Sequence, residues 1–290
     1  LSVAVAPESV TFVLPTFNEE GVGEVVEAIR RLHPGSPILV VDDGSADRSA
    51  EIAAAAGARV IRHPYNKGNG AAVKSGLRSA ATDFVVLLDA DGQHRPEDAA
   101  QLIDKLGAYD LVIGARDRTA EVRWGRRLAN GLFNGLASYL AGLPIADLTS
   151  GFRAARRDRL LEFIHLYPNG FSYPTTSTLS FVRAGYDVAF VPVTTRFRSR
   201  GRSKIRPVQD GVAFLLIILK LITLYNPLKV FLPLAAALAA VGAAYGALSY
   251  VKMGRIANGA VLAWITALFV FLIGLISEQI SALRSERRDS

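Results

Sequence analysis

Two carboxylates one residue apart, Asp89 and Asp91, end the apolar run Phe84-Val85-Val86-Leu87-Leu88. A buried parallel strand delivers acids in this way to the carboxyl edge of a sheet, where open α/β sheets bind ligands. Two hard oxygen donors there suit Mg2+ or Mn2+ bridged to a diphosphate. Asp91-Gly92 also fits an Asp-rich turn, so the pair does not decide alone. Two further polar clusters follow strand-like runs: Pro15-Thr16-Phe17-Asn18-Glu19-Glu20 and Asp42-Asp43-Gly44-Ser45. Each by itself could be a loop or a helix cap. Three of them after consecutive strands point to one site, with acceptors for a nucleobase and ribose beside a metal site for the diphosphate. Asn66-Lys67-Gly68-Asn69-Gly70 precedes a helix, where glycines let backbone approach a phosphate and Lys67 adds charge. The stretch is a weak dinucleotide fingerprint, because it follows the third strand and lacks the full G-x-G-x-x-G. Val73 where Gly is required before Lys74-Ser75 removes a P-loop.

The elements that must hold these groups alternate. Strands are expected at 10–14, 38–41, 59–61, 84–88 and 110–114. Helices are expected at 21–32, 48–56, 70–80 and 97–106, the second capped by Asp47 and the last opened by Pro96. This spacing implies βαβ units and a mainly parallel sheet. A long helix over 123–140 carries Arg126, Arg127, Asn130 and Asn134. A strand over 148–154, a helix over 174–184 and a β-rich segment over 188–197, broken by Pro192, follow.

From about residue 212 charges nearly vanish. Residues 208–225 fit an amphipathic helix lying in a membrane interface. Residues 228–251 and 257–277 are mostly apolar, and a helix of either length crosses a hydrocarbon core of roughly 30 Å. Two adjacent spans argue for a transmembrane hairpin over a buried hairpin in a soluble protein, with Met253, Gly254 and Asn258 in its turn. Arginines before the hairpin, and Arg284, Arg287 and Arg288 after it, favour cytoplasmic flanks at an inner or plasma membrane. Lys252 and Arg255 in the turn pull weakly the other way. The expected plan is a catalytic domain at 1–206, an interfacial helix at 207–226, a hairpin at 227–283 and a tail at 284–290. No signal peptide is expected at the start. The absence of cysteine excludes a disulfide framework and a Cys-based zinc site. The net charge of +7 favours an anionic partner; its concentration beside the membrane segments speaks against nucleic acid.

Pro-Thr-Phe-Asn-Glu, Asp-Asp-Gly-Ser, Asn-Lys-Gly-x-Gly and Asp-Ala-Asp-Gly-Gln-His together resemble the family 2 glycosyltransferases, with their nucleotide-sugar-binding GT-A fold. Asp147-Leu148-Thr149-Ser150-Gly151-Phe152-Arg153 and Gly201-Arg202-Ser203-Lys204 are similar to the branch with dolichol-phosphate mannose synthase and bacterial polyprenyl-phosphate glycosyltransferases. The resemblance implies inverting transfer of a hexose from a nucleoside diphosphate, UDP-glucose or GDP-mannose in type, to undecaprenyl or dolichyl phosphate. It implies that Asp89, Asp91 and Gln93 hold Mg2+ or Mn2+. It also implies that Pro15, Phe17, Glu19 and Asp42 contact the nucleoside, with Asp43 their neighbour in the nucleotide site. Relatives include tetramers, so the resemblance extends to a homo-oligomer.

A phosphate monoester acceptor is already anionic at neutral pH, so it needs orientation and charge neutralisation more than a general base. Asp147 is then either a base or, as favoured here, a group orienting the region of Arg153. Cations for the lipid phosphate are plentiful. Arg196, Arg198, Arg200, Arg202, Lys204 and Arg206 recur at every second residue and share one face if extended. Arg202 and Lys204 are the candidates for substrate phosphates within the matching motif; Arg116, Arg126, Arg127 and Ser203 are candidates for the acceptor phosphate. A basic flank drawn to anionic lipid is the plainer reading of the same run. A hydroxyl acceptor would instead demand a firm base. Polymer synthesis is disfavoured, since Ala120 stands where the Gln-x-x-Arg-Trp signature needs glutamine before Arg123-Trp124. A nucleotide-sugar sensor without turnover is the non-enzymatic rival.

Overall fold

The computed structural model describes residues 5–116, 144–170, 172–195 and 227–289, with isolated positions between 131 and 142. Two compact units divide the chain, Leu1–Asp210 and Gly211–Ser290.

In the first unit the apolar runs form strands β1 (Val10–Thr16), β2 (Ile38–Asp42), β3 (Arg59–Arg62), β4 (Phe84–Leu87), β5 (Leu111–Arg116), β6 (Arg153–Arg156) and β7 (Val188–Val193). They make one sheet in the order β3-β2-β1-β4-β6-β5-β7. Period-two alternation sends Phe12, Leu14, Val40 and Val86 to one face, under helices α1 (Val22–Leu32), α2 (Ser49–Ala55) and α4 (Ala99–Ile103). Val13, Leu39, Val41, Val85 and Leu87 face the other side, covered by α3 (Asn69–Ser79), α5 (Arg157–Glu162) and α6 (Tyr173–Arg183). Strands buried on both faces read as continuous apolar runs, which is why they stand out in the sequence. Asp47 Oδ1 does receive the Ser49 backbone N–H, at 3.1 Å, where α2 begins.

Every pairing is parallel except those of β6, which runs antiparallel to both β4 and β5. The expected strand over 148–154 therefore needs correction: only 153–156 is strand, and 147–152 is the loop that enters it. Reversal of β6 puts that loop at the carboxyl edge of β4 and β5. Pro192 does not break β7 but pairs with Ala115 within it. Proline is tolerated there because among the described residues β7 is an edge strand. The helix expected over 97–106 is shorter, a 3-10 turn at Pro96–Asp98 followed by α4. Helix α5 was not anticipated. Most of the helix expected over 123–140 lies outside the described residues.

The second unit is a helical hairpin, α7 (Leu228–Met253) and α8 (Asn258–Asp289). Gly254 closes α7 in the left-handed region (φ 67°), its N–H donating to Tyr250 O at 2.8 Å. Trp264 packs between the helices and donates to Ala239 O at 3.2 Å. Leu232, Val241, Leu248, Leu262, Phe269 and Ile276 point outward and are exposed. Residues 228–253 and 258–281 are long and apolar enough to cross a membrane. The interfacial helix expected over 207–226 lies outside the described residues.

Candidate active site

Strands β2, β1 and β4 are neighbours and parallel, so their polar C-terminal ends meet at one sheet edge. Three of the expected clusters therefore come together. The loop after β1 is stitched to the loop after β2. Asn18, at φ 48°, donates its N–H to Ser45 Oγ (2.9 Å) and accepts from Ala46 N–H through Oδ1 (2.8 Å). Glu19 N–H donates to Ser49 Oγ at 2.8 Å. Pro15 lies in β1 opposite Val41, and Phe17 and Glu19 remain partly exposed at the edge.

The two acids at the end of β2, Asp42 within the strand and Asp43 just after it, differ. Asp43 is fully wired into the protein: Oδ1 accepts from His63 Nδ1 (2.7 Å) and Lys67 N–H (3.0 Å), and Oδ2 accepts from Gly68 N–H (2.7 Å). His63 continues the chain to Ser75 Oγ, 2.9 Å from Nε2. Asp42 is fully buried; its Oδ2 lies 3.3 Å from Arg62 Nε, while Oδ1 has no partner among the described residues.

The stretch expected to meet a phosphate meets protein instead. The N–H groups of Lys67 and Gly68 are taken by Asp43. Gly70 and Ala71 N–H donate to the carbonyls of Gly170 and Asn169, both at 3.1 Å. The glycine at 68, at φ 102°, permits a close approach of another kind: a Cβ there would sit 2.4 Å from Asn169 O. The Lys67 ammonium lies 5.5 Å above the Tyr65 ring. The stretch reaches the acid cluster through a residue that sequence reasoning passed over, Asn69, whose side chain hydrogen-bonds Asp89.

Asp89 and Asp91 follow β4 at this edge. Burial, and then the charge of Asp91, push the Asp89 carboxyl up to about 6; Asn69, Arg116 and Arg153 pull it back only in part. Asp91 Oδ1 accepts from Gln93 N–H at 3.1 Å, and the Gln93 side chain is partly exposed. Among the described residues no three His, Asp or Glu side chains converge into a ready-made cage. The donors are two carboxylates and one amide oxygen, a partial set of hard ligands that leaves room for phosphate oxygens and water, as Mg2+ and Mn2+ require. The raised Asp89 carboxyl records burial and then the charge of Asp91, both of which a dication would offset. On both counts the residues fit a divalent metal.

Arg116 ends β5 at the same edge and is clamped by Asp147. Its Nε lies 2.7 Å from Oδ2 and its Nη2 3.0 Å from Oδ1, with Thr149 Oγ1 also on Nη2. Burial works to raise the Asp147 carboxyl, but Arg116 outweighs it and the net displacement is downward. An acid held ionised in this way is a poor proton acceptor. Its partner is Arg116, not the Arg153 region expected from sequence. Asn134 fixes the loop on its other side, donating to Ala146 O (2.8 Å) and accepting from Leu148 N–H (3.2 Å).

Arg153 is wholly buried and among the described residues has no carboxylate within ion-pair distance. Its guanidinium donates to Ser150 O, Pro174 O and Ser177 Oγ, and rests 5.7 Å from the Tyr173 ring centroid. It thereby ties α6 to the loop over Asp89. That loop touches the acid: a Cβ on Gly151 would lie 2.5 Å from Asp89 Oδ2. An arginine inside the run Phe152-Arg153-Ala154-Ala155 was the available signal; for His63 there was none. His94 is buried against Phe152, its pKa lowered to about 4 by burial and Arg116. It bridges Thr195, so the chain returns beside the acid cluster one residue before the basic run begins. Arg126, Arg127, Arg202, Ser203 and Lys204 lie outside the described residues.

A family model described as glycosyl transferase family 2 matches residues 11–163, and one described as the GtrB C-terminal hairpin matches residues 226–283. A dolichyl-phosphate hexose transferase of Haloferax volcanii is 33% identical over 71% of this chain and 90% of its own. A polyprenol monophosphomannose synthase of Mycolicibacterium smegmatis is 35% identical over 67% of this chain and 79% of its own. Glucosyl-3-phosphoglycerate synthase from Mycobacterium tuberculosis, solved with Mn2+ and UDP-glucose, superimposes with a TM-score of 0.59 at 26% identity, covering 74% of this chain and 78% of that one.

Proposed function

Because this chain belongs to glycosyl transferase family 2 and ends in a GtrB-type hairpin, we propose that it moves a hexose from a nucleoside-diphosphate sugar to a polyprenyl phosphate at the membrane surface. The observation that carries this reading is the under-compensated pair Asp89/Asp91 at the sheet edge, where a diphosphate and its cation belong. The names of the relatives support the lipid acceptor, and the neighbour solved with Mn2+ and UDP-glucose supports the metal and the donor class.

In this mechanism Asp42, Phe17 and Glu19 bind the nucleoside, and Asp43 fixes the adjoining loop. Asp89, Asp91 and Gln93 would hold Mg2+ or Mn2+, which would supply neutralisation of the diphosphate charge. The acceptor phosphate attacks the anomeric carbon from the face opposite the leaving group, so configuration inverts. It arrives ionised, which leaves no work for a general base and agrees with Asp147 being committed to Arg116. Arg116 is held at the edge by that clamp, and Arg202 and Lys204 supply further charge toward the lipid phosphate. The hairpin anchors the catalytic unit on the cytoplasmic face.

The test is a transfer assay in detergent with Mn2+ and undecaprenyl phosphate, offering UDP-glucose, UDP-galactose, UDP-N-acetylglucosamine and GDP-mannose separately. A metal-dependent sugar phospholipid seen by mass is expected from one donor. Nucleotide binding without product from any donor would move the acceptor away from polyprenyl phosphate.

A further inference from the structure

Asp147 is carried on a loop whose backbone is held by a side chain from another part of the chain. Asn134 is buried, and its amide works on both sides of that acid. Its Nδ2 donates to Ala146 O at 2.8 Å, and its Oδ1 accepts from Leu148 N–H at 3.2 Å. A side-chain amide has the donor and the acceptor of a peptide group, so it pairs here as a neighbouring strand would. The two groups it bonds flank Asp147, which fixes the peptide planes on either side of the acid. Ser138, one helical turn later, adds a second tie. Its Oγ donates to Asn134 O at 2.7 Å and accepts from Ile145 N–H at 2.9 Å.

The fixed carboxylate in turn fixes an arginine. Asp147 receives Arg116 Nε and Nη2 on its two oxygens, and its Oδ2 also accepts from the Arg116 backbone N–H at 3.3 Å. Arg116 is the last residue of β5, and 32% of its side-chain surface is exposed. A guanidinium gripped along one edge of its fork presents a set direction to a second anion. A loose one must be ordered when the anion arrives, at a cost in affinity. The direction of Arg116 is therefore decided two residues away from it, at Asn134.

We propose that Asn134 is the positioning residue for recognition of the acceptor phosphate: it sets Asp147, and through Asp147 the direction of Arg116. This rests on the transfer reading above and deepens it. The test is steady-state transfer by the full chain in detergent, varying undecaprenyl phosphate at saturating donor, for wild type, Asn134→Ala, Arg116→Lys and the double variant. Asn134→Ala should raise the KM for undecaprenyl phosphate about tenfold, the scale of one misplaced charge-assisted contact. Calorimetry with Mn2+ should find its affinity for UDP and GDP within about twofold of the wild type. In the Arg116→Lys background the fork is already gone, so the same change should add less than about twofold. Effects that multiply in the double variant overturn the proposal, because a residue that merely supports the fold would cost both backgrounds alike. A wild-type acceptor KM in Asn134→Ala, or a parallel loss of nucleotide affinity, overturns it too. Ser138→Ala keeps the amide and removes only the second tie, so it should raise the same KM a few-fold. It decides the matter if Asn134→Ala does not fold, an unchanged acceptor KM then overturning the proposal. A wild type that binds nucleotide but gives no product from any donor would instead sink the polyprenyl phosphate reading itself.

Discussion

The acids at the end of β2 and the acids after β4 sit on either side of β1 at one sheet edge, and their surroundings are opposite. Asp43 is surrounded by donors: an imidazole and two backbone N–H groups. Asp89 is buried beside Asp91, and burial and that neighbouring charge push its carboxyl up to about 6. Identical side chains on equivalent strand ends thus do different work. A carboxylate whose valence is filled by its own chain is part of the scaffold; one left in conflict with a neighbour awaits a cation. Asp42 falls between, with one oxygen filled and the other without a partner among the described residues.

The strongest way to break this contrast is to exchange one acid from each group. Asp91→Asn should cut transfer by about 100-fold to 1,000-fold, the scale for removing a group that stabilises developing charge, and leave the melting temperature nearly unchanged. Full activity would refute the metal assignment. Asp43→Ala should do the reverse. It strands three donors around a buried hole, at about 3 kcal/mol or more of stability, visible as a melting point lower by several degrees. An unaltered melting point would show that Asp43 is not scaffold.

Lys204→Ala should slow turnover about tenfold, on the scale of one charge-assisted contact, while flotation with anionic vesicles stays as in the wild type. Unchanged kinetics would remove it from the site. The smallest effect is in the pH dependence of stability. The Asp89 carboxyl rises from 3.8 to about 6 on folding. Between those values the folded chain binds a proton that the unfolded chain lacks, so metal-free stability should fall as pH rises from about 4 to about 6 and level off above. Mn2+ competes with that proton, so its stabilising effect should grow over the same interval. Melting curves with chelator and with Mn2+ would sharpen the contrast, and parallel curves would remove its electrostatic basis.

Some features were legible without coordinates because they are local. The apolar runs of β1, β2 and β4 end in polar residues within the same stretch of chain, and a hydrophobic span carries its own length. Other features rest on partners far away in sequence. Arg116 and Asp147 are 31 residues apart, and His63 and Asp43 are 20 apart. Gly68 looked like a phosphate loop, because glycine before a helix reports that something comes close but not what; here it is the 168–170 backbone.

The sequence by itself determined an alternating α/β domain with acids at three strand ends, followed by two membrane-length helices. Strand period, apolar burial and hydrophobic length are properties of contiguous residues, so they survive without a fold. Only the tertiary structure decided the reversal of β6, which turns the 147–152 loop toward the acid pair. Only it decided which carboxylates are filled and which are left wanting. A polar group's valence is completed by whatever the fold brings within about 3 Å, and no stretch of sequence states its neighbours across a sheet.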